Sequence, residues 1–473
     1  MQYKKFYITT TLPYVNAAPH IGFALEIIEA DVIARYQKEI LSNEVVFNTG
    51  TDEHGQKIWQ KALEQKMDVQ EYCDQWASKF TDLEKLLNLS FSHFIRTTDQ
   101  KHIVAAQEFW KICQKNGDIY KAKYKVKYCV GCELAKTESE LEDNRCPLHP
   151  NQELEIREEE NYFFRFSKYA DKLLELYEKN PEFVKPASRF KEIKSFVEAG
   201  LTDFSISRLK NNMPWGIAVP DDEEHVMYVW FDALVNYIST LGWPNQTEEF
   251  KKFWPGVQIA GKDNLRQQAA MWQAMLFSAE LDNSTQILIN GFIGVNGQKM
   301  SKSLGNVISP EEMVARYGSD GARYLLIQLG TFGEDSDVTF EKLDTNFNAY
   351  LANGIGNLCS RVAKMAEQEN LVNDEKEVLI RKDFKKLMNN FDLSEAMAYI
   401  NVQVSTVDKY LAENTPWKKE GEEKSKILLT ASQEICQIAA MLSIFMPETA
   451  KEIKDRFTGE IKSFSTGLFP RLS

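Results

Sequence analysis

The stretch Phe6-Tyr7-Ile8-Thr9-Thr10, followed after a loop by Pro19-His20-Ile21-Gly22-Phe23, decides the fold of this 473-residue chain. The first segment is apolar and predicts a strand. Beyond it, apolar residues recur at helical spacing and predict an amphipathic helix: Leu25, Ile28, Val32, Tyr36 and Ile40. With a further strand predicted at Val45–Asn48, this order indicates the first half of a nucleotide-binding α/β sheet.

His20 lies at the predicted start of that helix. Free backbone N–H groups and the helix dipole favour an anion there, and Pro19 suits a first helical turn. One histidine and one glycine are a weak signal alone, so an ordinary capped helix is the alternative explanation.

A second segment, Gly297-Gln298-Lys299-Met300-Ser301-Lys302-Ser303-Leu304-Gly305-Asn306, also suits phosphate. No acidic residue occurs from Asn290 to Pro310, although the chain has 69 acidic and 56 basic residues. Lysine supplies a mobile point charge and glycine permits close approach of the backbone, so a triphosphate is the predicted ligand. A solvated surface loop is the alternative.

Together these segments resemble the two signature sequences of class I aminoacyl-tRNA synthetases. Further stretches are similar to one family of that class, methionyl-tRNA synthetase, nearly end to end. These stretches are Thr11–Tyr14, Thr49–Gly55, Tyr228–Ala233, Gly261–Asp263 and Asn353–Arg361.

The first signature departs from the family pattern at Phe23, where a second histidine is common. A phenyl ring cannot donate a hydrogen bond to phosphate. Either that contact is dispensable, or another donor such as Thr10 or Lys302 replaces it.

The resemblance implies a two-step reaction with ATP, Mg²⁺ and methionine. Methionyl-adenylate and pyrophosphate form first, and the methionyl group then passes to the terminal ribose of tRNA(Met), including initiator tRNA. Catalysis of this reaction depends mainly on positioning the substrates and on stabilising the charge that develops on the phosphates. His20, Lys299 and Lys302 would therefore be the catalytic residues. The implied ATP site comprises Thr10, His20, Gly22, Gly261, Asp263, Lys299, Ser301 and Lys302. For Asp263, which would hold the ribose, the alternative explanation is a helix N-cap, and the two roles are compatible.

The methionine pocket implied by the resemblance combines aromatic walls with one carboxylate. Its residues are Leu12, Tyr14, Asp52, Trp230, Tyr237, Asn264 and Gln268. Trp230 and Tyr237 share a face if a helix starts between Phe231 and Ala233, although aromatics at that spacing also suit a core. Asn264 and Gln268 stand where many family members have an aliphatic residue and a histidine. The wall of the pocket is therefore more amide-like here.

Cys129-Val-Gly-Cys132 and Cys146-Pro-Leu-His149 form two short ligand pairs. Three thiols and one imidazole at this spacing predict a closed, structural zinc site. A Cys-x-x-Cys redox pair or unligated thiols are the alternatives.

For the anticodon, the resemblance implies Asn357, Arg361 and Trp417. We expect Trp417 to be partly exposed, although a tryptophan after proline is more often a core residue.

The predicted fold class is α/β, with a Rossmann-type parallel-sheet catalytic domain, a zinc-bearing insertion and an α-helical bundle that binds the anticodon. The predicted divisions are 1–115 and 201–310 for the two catalytic halves, 116–200 for the insertion, 311–344 for a connector and 345–473 for the helical domain.

The apolar run Ile435–Met446 is too short to span a bilayer and predicts a buried helix. We expect a cytoplasmic monomer without a leader or membrane segment.

A net charge of −13 argues against indiscriminate RNA binding, so tRNA would need local basic surfaces. Two sets of residues are candidate surfaces: Lys121, Lys123, Lys125 and Lys127 on one strand face, and the group Lys185, Arg189, Lys191 and Lys194. For the first set, a solvated strand face is an equal alternative. Three other functions stay open. The first is a class I synthetase for another amino acid, and one for valine, leucine or isoleucine would need a longer editing insertion. A small nucleotidyltransferase gains nothing from the helical region. A noncatalytic tRNA-binding paralogue would be expected to lose His20 or the lysines.

Overall fold

The structure is a computed structural model that describes residues 4–132, 134–136, 141, 143–211, 213–245, 247–300, 306–330, 332–374 and 379–472. Its strands are β1 (Lys5–Thr9), β2 (Glu44–Thr51), β3 (His93–Arg96), β4 (Ile119–Cys129), β5 (Leu134–Lys136), β6 (Glu155–Phe164), β7 (Val184–Lys185), β8 (Phe204–Ser205), β9 (Ser207–Leu209), β10 (Ala218–Val219), β11 (Asp222–Met227), β12 (Val257–Gly261), β13 (Gln286–Asn290), β14 (Ile293–Val295), β15 (Gln298–Lys299), β16 (Ser336–Val338), β17 (Val372–Asn373) and β18 (Gly459–Glu460).

The α-helices surround these strands and dominate the C-terminal part. They are α1 (Ile21–Arg35), α2 (Gln56–Glu64), α3 (Val69–Thr81), α4 (Leu83–Leu86), α5 (Gln100–Lys115), α6 (Ala170–Lys179), α7 (Ala187–Glu198), α8 (Val229–Leu234), α9 (Asn236–Ser239), α10 (Thr247–Phe253), α11 (Trp272–Ser278), α12 (Pro310–Leu329), α13 (Phe340–Asn346), α14 (Asn357–Gln368), α15 (Lys382–Asn389), α16 (Leu393–Asn414), α17 (Gly421–Leu442) and α18 (Pro447–Phe457). Short 3-10 or π turns lie at Tyr36–Ile40, Phe166–Tyr169, Lys262–Asn264, Gln267–Met271, Phe347–Gly356 and Pro416–Lys418.

The main sheet has six parallel strands in the order β3-β2-β1-β12-β13-β7. The chain runs outward from β1 to β3 and later returns to the other side of β1, so the order reverses between β1 and β12. Ligands of open parallel sheets bind at such a switch point, outside the carboxyl ends of the strands. The predicted Rossmann-type α/β fold with a helical C-terminal region is confirmed. The edge strand β7 comes from the stretch 116–200.

Two apolar cores cover the two faces of the sheet, because successive side chains of β1 point in opposite directions. Ile8 faces the core that contains α1, α12 and the C-terminal helices. Tyr7 faces the other core, which contains α5, α8 and α11. The first core is continuous from the sheet to the C-terminal helices, so the two regions are packed together.

Helix α1 is buried on nearly every side, and the prediction that it is amphipathic is wrong. It lies between the sheet and α12, so even the acidic residues Glu26, Glu29 and Asp31 are buried. Phe23 packs edge-on against Phe80 of α3, with ring centroids 5.6 Å apart. The residue that replaces the second signature histidine is therefore part of the core.

Arg323 of α12 is fully buried and joins α1 to the C-terminal helices. Its guanidinium donates to Asp31 Oδ2 at 2.7 Å and to the carbonyl oxygens of Leu87, Ile444 and Phe445 at 3.0, 3.2 and 2.7 Å. These carbonyls explain a second correction. Helix α17 ends at Leu442, and the rest of the predicted helix Ile435–Met446 is a turn that presents its carbonyl groups to Arg323.

The predicted basic strand face belongs to β4, which pairs antiparallel with β6. In this register Lys123 lies opposite Glu160, and the ammonium group of Lys121 contacts Asp222 at 3.1 Å. Opposite charges across a strand pair attract each other, so the register favours a solvated face of paired charges over an RNA surface. In the second basic group, Arg189 contacts Glu192 at 2.7 Å. Among the described residues, no helix is both long and apolar enough to cross a lipid bilayer.

Arg323→Met should lower the urea midpoint of unfolding by an amount equivalent to about 3–5 kcal/mol, because it leaves Asp31 buried without its main partner. Burial opposes ionisation of Asp31, but Arg323, Arg35 and Ser90 outweigh it, so the pKa of Asp31 is lowered. The advantage of wild type should therefore shrink as the pH falls below about 4.

The control is Lys451→Met, which removes an exposed ion pair with Asp455. It should leave the urea midpoint of unfolding nearly unchanged, because solvent screens an exposed ion pair. Equal midpoints for wild type and Arg323→Met would contradict the role assigned to the buried pair.

Candidate active site

The signature residues converge on the switch point of the main sheet. His20 occupies the N-cap of α1, directly after the β1 loop, and Gly261 ends the neighbouring strand β12. Thr10, at the end of β1, is buried, and its hydroxyl lies 2.8 Å from that of Thr49. The N-terminus of a buried helix therefore opens onto the crevice where anions and nucleotides bind in such sheets.

His20 is exposed and has a defined orientation. Its Nδ1 accepts a hydrogen bond from the Gly22 backbone N–H at 3.0 Å, so a neutral ring carries its proton on Nε2. A Cβ atom on Gly22 would lie 2.8 Å from His20 Cε1. The signature glycine is thus required because any side chain there would displace the imidazole.

The second signature begins at the hairpin of β14 and β15. Its turn residues Asn296 and Gly297 both have positive φ, at 56° and 73°, and Gly297 N–H donates to Asp337 Oδ1 at 2.6 Å. A Cβ on Gly22 would lie 3.8 Å from Met300 Cε, so the hairpin ends beside the first turn of α1. For Lys299 only the backbone is described, and Ser301 and Lys302 lie outside the described residues.

Asp263 lies in the crevice beyond β12 and is exposed. The alternative that it caps a helix is wrong, because the cap position of its 3-10 turn is Gly261. A Cβ on Gly261 would lie 2.7 Å from Asp263 Oδ1, so this glycine leaves room for the carboxylate. Lys262 is bound elsewhere, since its ammonium contacts Asp335 at 2.6 Å.

Two buried carboxyl groups beneath the crevice were missed by the sequence analysis. Thr11 donates to Glu26 Oε1 through its backbone N–H at 2.7 Å and its hydroxyl at 2.6 Å. Burial raises the pKa of Glu26 to about 7, and Asp263 adds to the rise. Asn290 donates to Glu29 at 2.5 Å, and burial raises the pKa of Glu29 well above its ordinary value. Three acids within two turns of an otherwise apolar helix were the available signal.

The predicted pocket residues from the first half of the chain lie together. Tyr14 pairs with Asp52 in a parallel bridge, and Asp52 is buried. A Cβ on Gly55, which has φ 114°, would lie 2.5 Å from the Tyr14 hydroxyl. Leu12 is partly buried nearby in sequence. The conformation of this loop therefore depends on a glycine that packs against the tyrosine.

Glu53 anchors the loop that carries Asp52. It is fully buried and accepts two hydrogen bonds from Arg96 at 2.6 and 2.8 Å, with further ones from the hydroxyls of Thr51 and Thr98. Its neighbour His54 contacts Asp232 at 3.2 Å. Burial raises the pKa of Asp232, and His54 opposes that rise. This second pair was also missed, because 178 residues of sequence separate its members.

The predicted aromatic wall comes from two short helices. Helix α8 begins at Val229, so the condition of a start between Phe231 and Ala233 is not met, and Tyr237 lies in α9. Trp230 is partly buried and Tyr237 is buried. Gln268 is buried and donates to the Tyr237 hydroxyl at 2.7 Å, whereas Asn264 is partly buried and donates to Asp263 at 3.4 Å.

The four predicted metal ligands form one cluster. The Sγ atoms of Cys129, Cys132 and Cys146 and the ring nitrogen of His149 all lie within 4.8 Å of one another. Cys132 Sγ is 3.2 Å from both Cys146 Sγ and His149 Nδ1. Gly131 packs so closely on the His149 ring that a Cβ there would overlap it. Three thiols and an imidazole in this arrangement suit a tetrahedral zinc ion.

The three residues expected at the anticodon lie on the C-terminal helices. Asn357 is exposed at the start of α14, and Arg361 follows one turn later. The Arg361 guanidinium lies 5.8 Å from the ring centroid of Trp417 and 3.3 Å from Asp408. Trp417 is 49% exposed in the turn after α16. The prediction that Trp417 is partly exposed is confirmed, and the alternative of a core residue is wrong.

Comparison with known proteins identifies the family to which the chain belongs. A family profile described as tRNA synthetases class I (M) matches residues 6–149 and 130–363. The methionine–tRNA ligase of Thermotoga maritima is 42% identical over 481 residues, which cover 97% of this chain and 76% of that protein. That of Synechocystis is 39% identical, with 95% and 88% covered. Mycobacterium tuberculosis methionyl-tRNA synthetase in complex with methionyl-adenylate is 34% identical with a TM-score of 0.90, over 99% of this chain and all of the other.

The profile covers most of the chain, which is therefore a class I aminoacyl-tRNA synthetase. More narrowly, the chain belongs to the methionine–tRNA ligase family, because relatives with that name are about 40% identical over nearly its full length.

The pKa of Glu26 gives a prediction for stability. Because it is raised to about 7 in the folded protein, ionisation of Glu26 costs stability as the pH rises from about 4.5 to about 7. Glu26→Gln has no such proton to lose and can still accept from Thr11. The free energy of unfolding of Glu26→Gln, relative to that of wild type, should therefore rise by about 3 kcal/mol as the pH increases over this range. Urea unfolding at several pH values measures the difference, and a constant difference would contradict the buried carboxyl described here.

Proposed function

We propose that this protein is a methionine–tRNA ligase that forms methionyl-adenylate from methionine and ATP and then charges tRNA(Met), including initiator tRNA. The observation that carries the proposal is the meeting of both signatures at the switch point, where Gly22 lies beside His20 and Met300. A helix N-terminus beside a hairpin whose sequence carries lysines suits the triphosphate of ATP.

In the first step, the methionine carboxylate attacks the α-phosphorus of ATP and pyrophosphate leaves. We assign to His20 Nε2–H a hydrogen bond to the phosphate oxygens, with Lys299 and Lys302 neutralising charge that develops on the pyrophosphate. Thr10, Gly22, Gly261 and Ser301 would line the nucleotide site, and Asp263 would accept hydrogen bonds from the ribose hydroxyls. Mg²⁺ would accompany ATP and neutralise phosphate charge.

For methionine, Asp52 would hold the ammonium group, and its burial strengthens that interaction. The thioether would lie among Leu12, Tyr14, Trp230 and Tyr237, beside Asn264 and Gln268. Buried Glu53 and Arg96 support this arrangement because they fix the loop next to Asp52.

Zinc would bind Cys129, Cys132, Cys146 and His149 and fold the polar end of the 116–200 insertion. Four protein ligands leave no open position, so its part would be structural. We further propose that residues 1–115 and 201–310 form the catalytic domain, that 311–344 connect it to 345–473, and that the last region reads the anticodon. The enzyme would act as a monomer in the cytoplasm.

Gly22→Ala tests the catalytic assignment. The added methyl would displace the imidazole of His20, while an alanine for glycine change in a helix tends to stabilise. Methionine-dependent ATP–pyrophosphate exchange should fall at least about tenfold without a lower melting temperature. Gly467→Ala is the matched control, because nothing lies within 4 Å of its added Cβ. Equal exchange in the two variants would remove His20 from the mechanism.

The metal prediction is one zinc ion per chain by elemental analysis of the purified protein. Cys146→Ser should reduce that stoichiometry, because a hydroxyl is a far poorer zinc ligand than a thiolate. Cys113→Ser provides a control at a buried cysteine outside the cluster. A zinc content near zero in a protein that still aminoacylates would overturn the site.

Trp417→Ala should reduce aminoacylation of tRNA(Met) by roughly tenfold or more, since stacking on an unpaired base is worth about 1–3 kcal/mol. Pyrophosphate exchange should stay within about twofold, because it needs no tRNA. Val402→Ala, at another exposed apolar residue of the same region, should leave both activities unchanged. Parallel loss of both activities in Trp417→Ala would contradict an anticodon role.

A further inference from the structure

Five buried polar residues form a continuous series of hydrogen bonds that ends at the hydroxyl of Tyr237. The members are Ser284, Gln273, Gln258, Gln268 and Tyr237, here called the amide chain. Each is at most 4% exposed. Buried amides hold their hydrogen bonds because an unpaired one would be costly.

The direction of the amide chain is set by a backbone group. Ser284 N–H can only donate, and it donates to Gln273 Oε1 at 3.1 Å. Gln273 must then present its Nε2 to Ser284 Oγ, which accepts at 3.0 Å. The hydroxyl proton of Ser284 is thereby directed to Gln258 Oε1 at 2.5 Å.

The same direction continues to the phenol. With its oxygen engaged by Ser284, Gln258 presents Nε2 to Gln268 Oε1 at 3.4 Å, the longest link. Gln268 then donates through Nε2 to the Tyr237 oxygen at 2.7 Å. Burial raises the pKa of Tyr237 above its ordinary value, so the hydroxyl keeps its proton. Since its oxygen accepts from Gln268, that proton remains to be donated.

We propose that the amide chain is a specificity device, in which Gln258 and Ser284 are positioning residues that make the Tyr237 hydroxyl a hydrogen-bond donor to the thioether sulfur of methionine. The inference rests on the proposed function. Sulfur is a weak acceptor, whereas norleucine has a methylene group at the same place and accepts nothing. An apolar pocket alone separates such isosteres poorly, so a directed donor would add discrimination.

Gln258→Glu tests the direction of the chain by exchanging one nitrogen for oxygen. The assay is run at about pH 9 so that the introduced carboxyl group is ionised despite its burial, because a carboxylate can still accept from Ser284 but cannot donate to Gln268. The Gln268 amide should turn over, and its oxygen would then take the Tyr237 proton away from the substrate. In ATP–pyrophosphate exchange, the kcat/KM ratio of methionine to norleucine should fall about tenfold. The change should arise mainly from a higher KM for methionine.

Two further variants keep the test decisive. Ser284→Ala removes only the hydroxyl that orients Gln258 and should lower the methionine to norleucine ratio by about threefold. Gln286→Glu makes the same exchange on the adjacent strand β13, where Gln286 bonds the Glu182 carbonyl outside the amide chain. This control should leave the ratio within about 1.5-fold of wild type. If Gln258→Glu does not fold, Ser284→Ala alone decides.

An unchanged ratio in Gln258→Glu, or in Ser284→Ala when it alone can be measured, would overturn the inference even if KM or melting temperature changes. A merely structural role would weaken use of both amino acids equally. Failure of the proposed function is distinguishable, because wild-type protein would then show no methionine-dependent exchange at all.

Discussion

The buried ion pair between Asp31 and Arg323 is the interaction on which the relative positions of the other elements depend. Asp31 lies on the helix that begins at His20, about 16 Å further along its axis. Arg323 also binds carbonyl groups before β3 and at the turn after α17. A buried charge that satisfies this many groups tolerates few alternative arrangements. Helix α1 and the C-terminal helices are therefore held in fixed relative positions.

The crevice at the N-terminus of α1 is formed by the topology of the sheet and by close packing around a few glycines. The order of strands reverses beside β1, which leaves the ends of β1 and β12 open to a ligand. Gly22 and Gly261 have no side chains where His20 and Asp263 need space. Asp337 holds the β14–β15 turn. These contacts orient the functional groups before any substrate binds, which is how nucleotidyl transfer gains most of its rate.

Local patterns predicted much of this architecture. Strand β1, the N-cap position of His20 and the four-ligand cluster follow from periodicity, capping and spacing, all of which act over a few residues. Burial of α1 could not be predicted, because it depends on α12 nearly 300 residues later. The His54–Asp232 pair depends on the same kind of long-range contact. The end of α17 at Leu442 was missed because a distant arginine, absent from any local window, stabilises the turn that follows.

The methionine pocket extends the same reasoning to specificity. Side-chain amides alone could reverse their orientation together, because each end can accept or donate in turn. A chain of amides has a fixed direction only if it starts at a group that cannot reverse, and here that group is the backbone N–H of Ser284. The turn around Ser284 must therefore be held firmly. Trp254 Nε1 donates to the Asp282 carbonyl at 2.8 Å, and Thr285 N–H donates to the Gly256 carbonyl at 2.8 Å. In the proposed methionine pocket, the polarity of the Tyr237 hydroxyl would thus derive from a surface turn tied to the end of α10 and the start of β12.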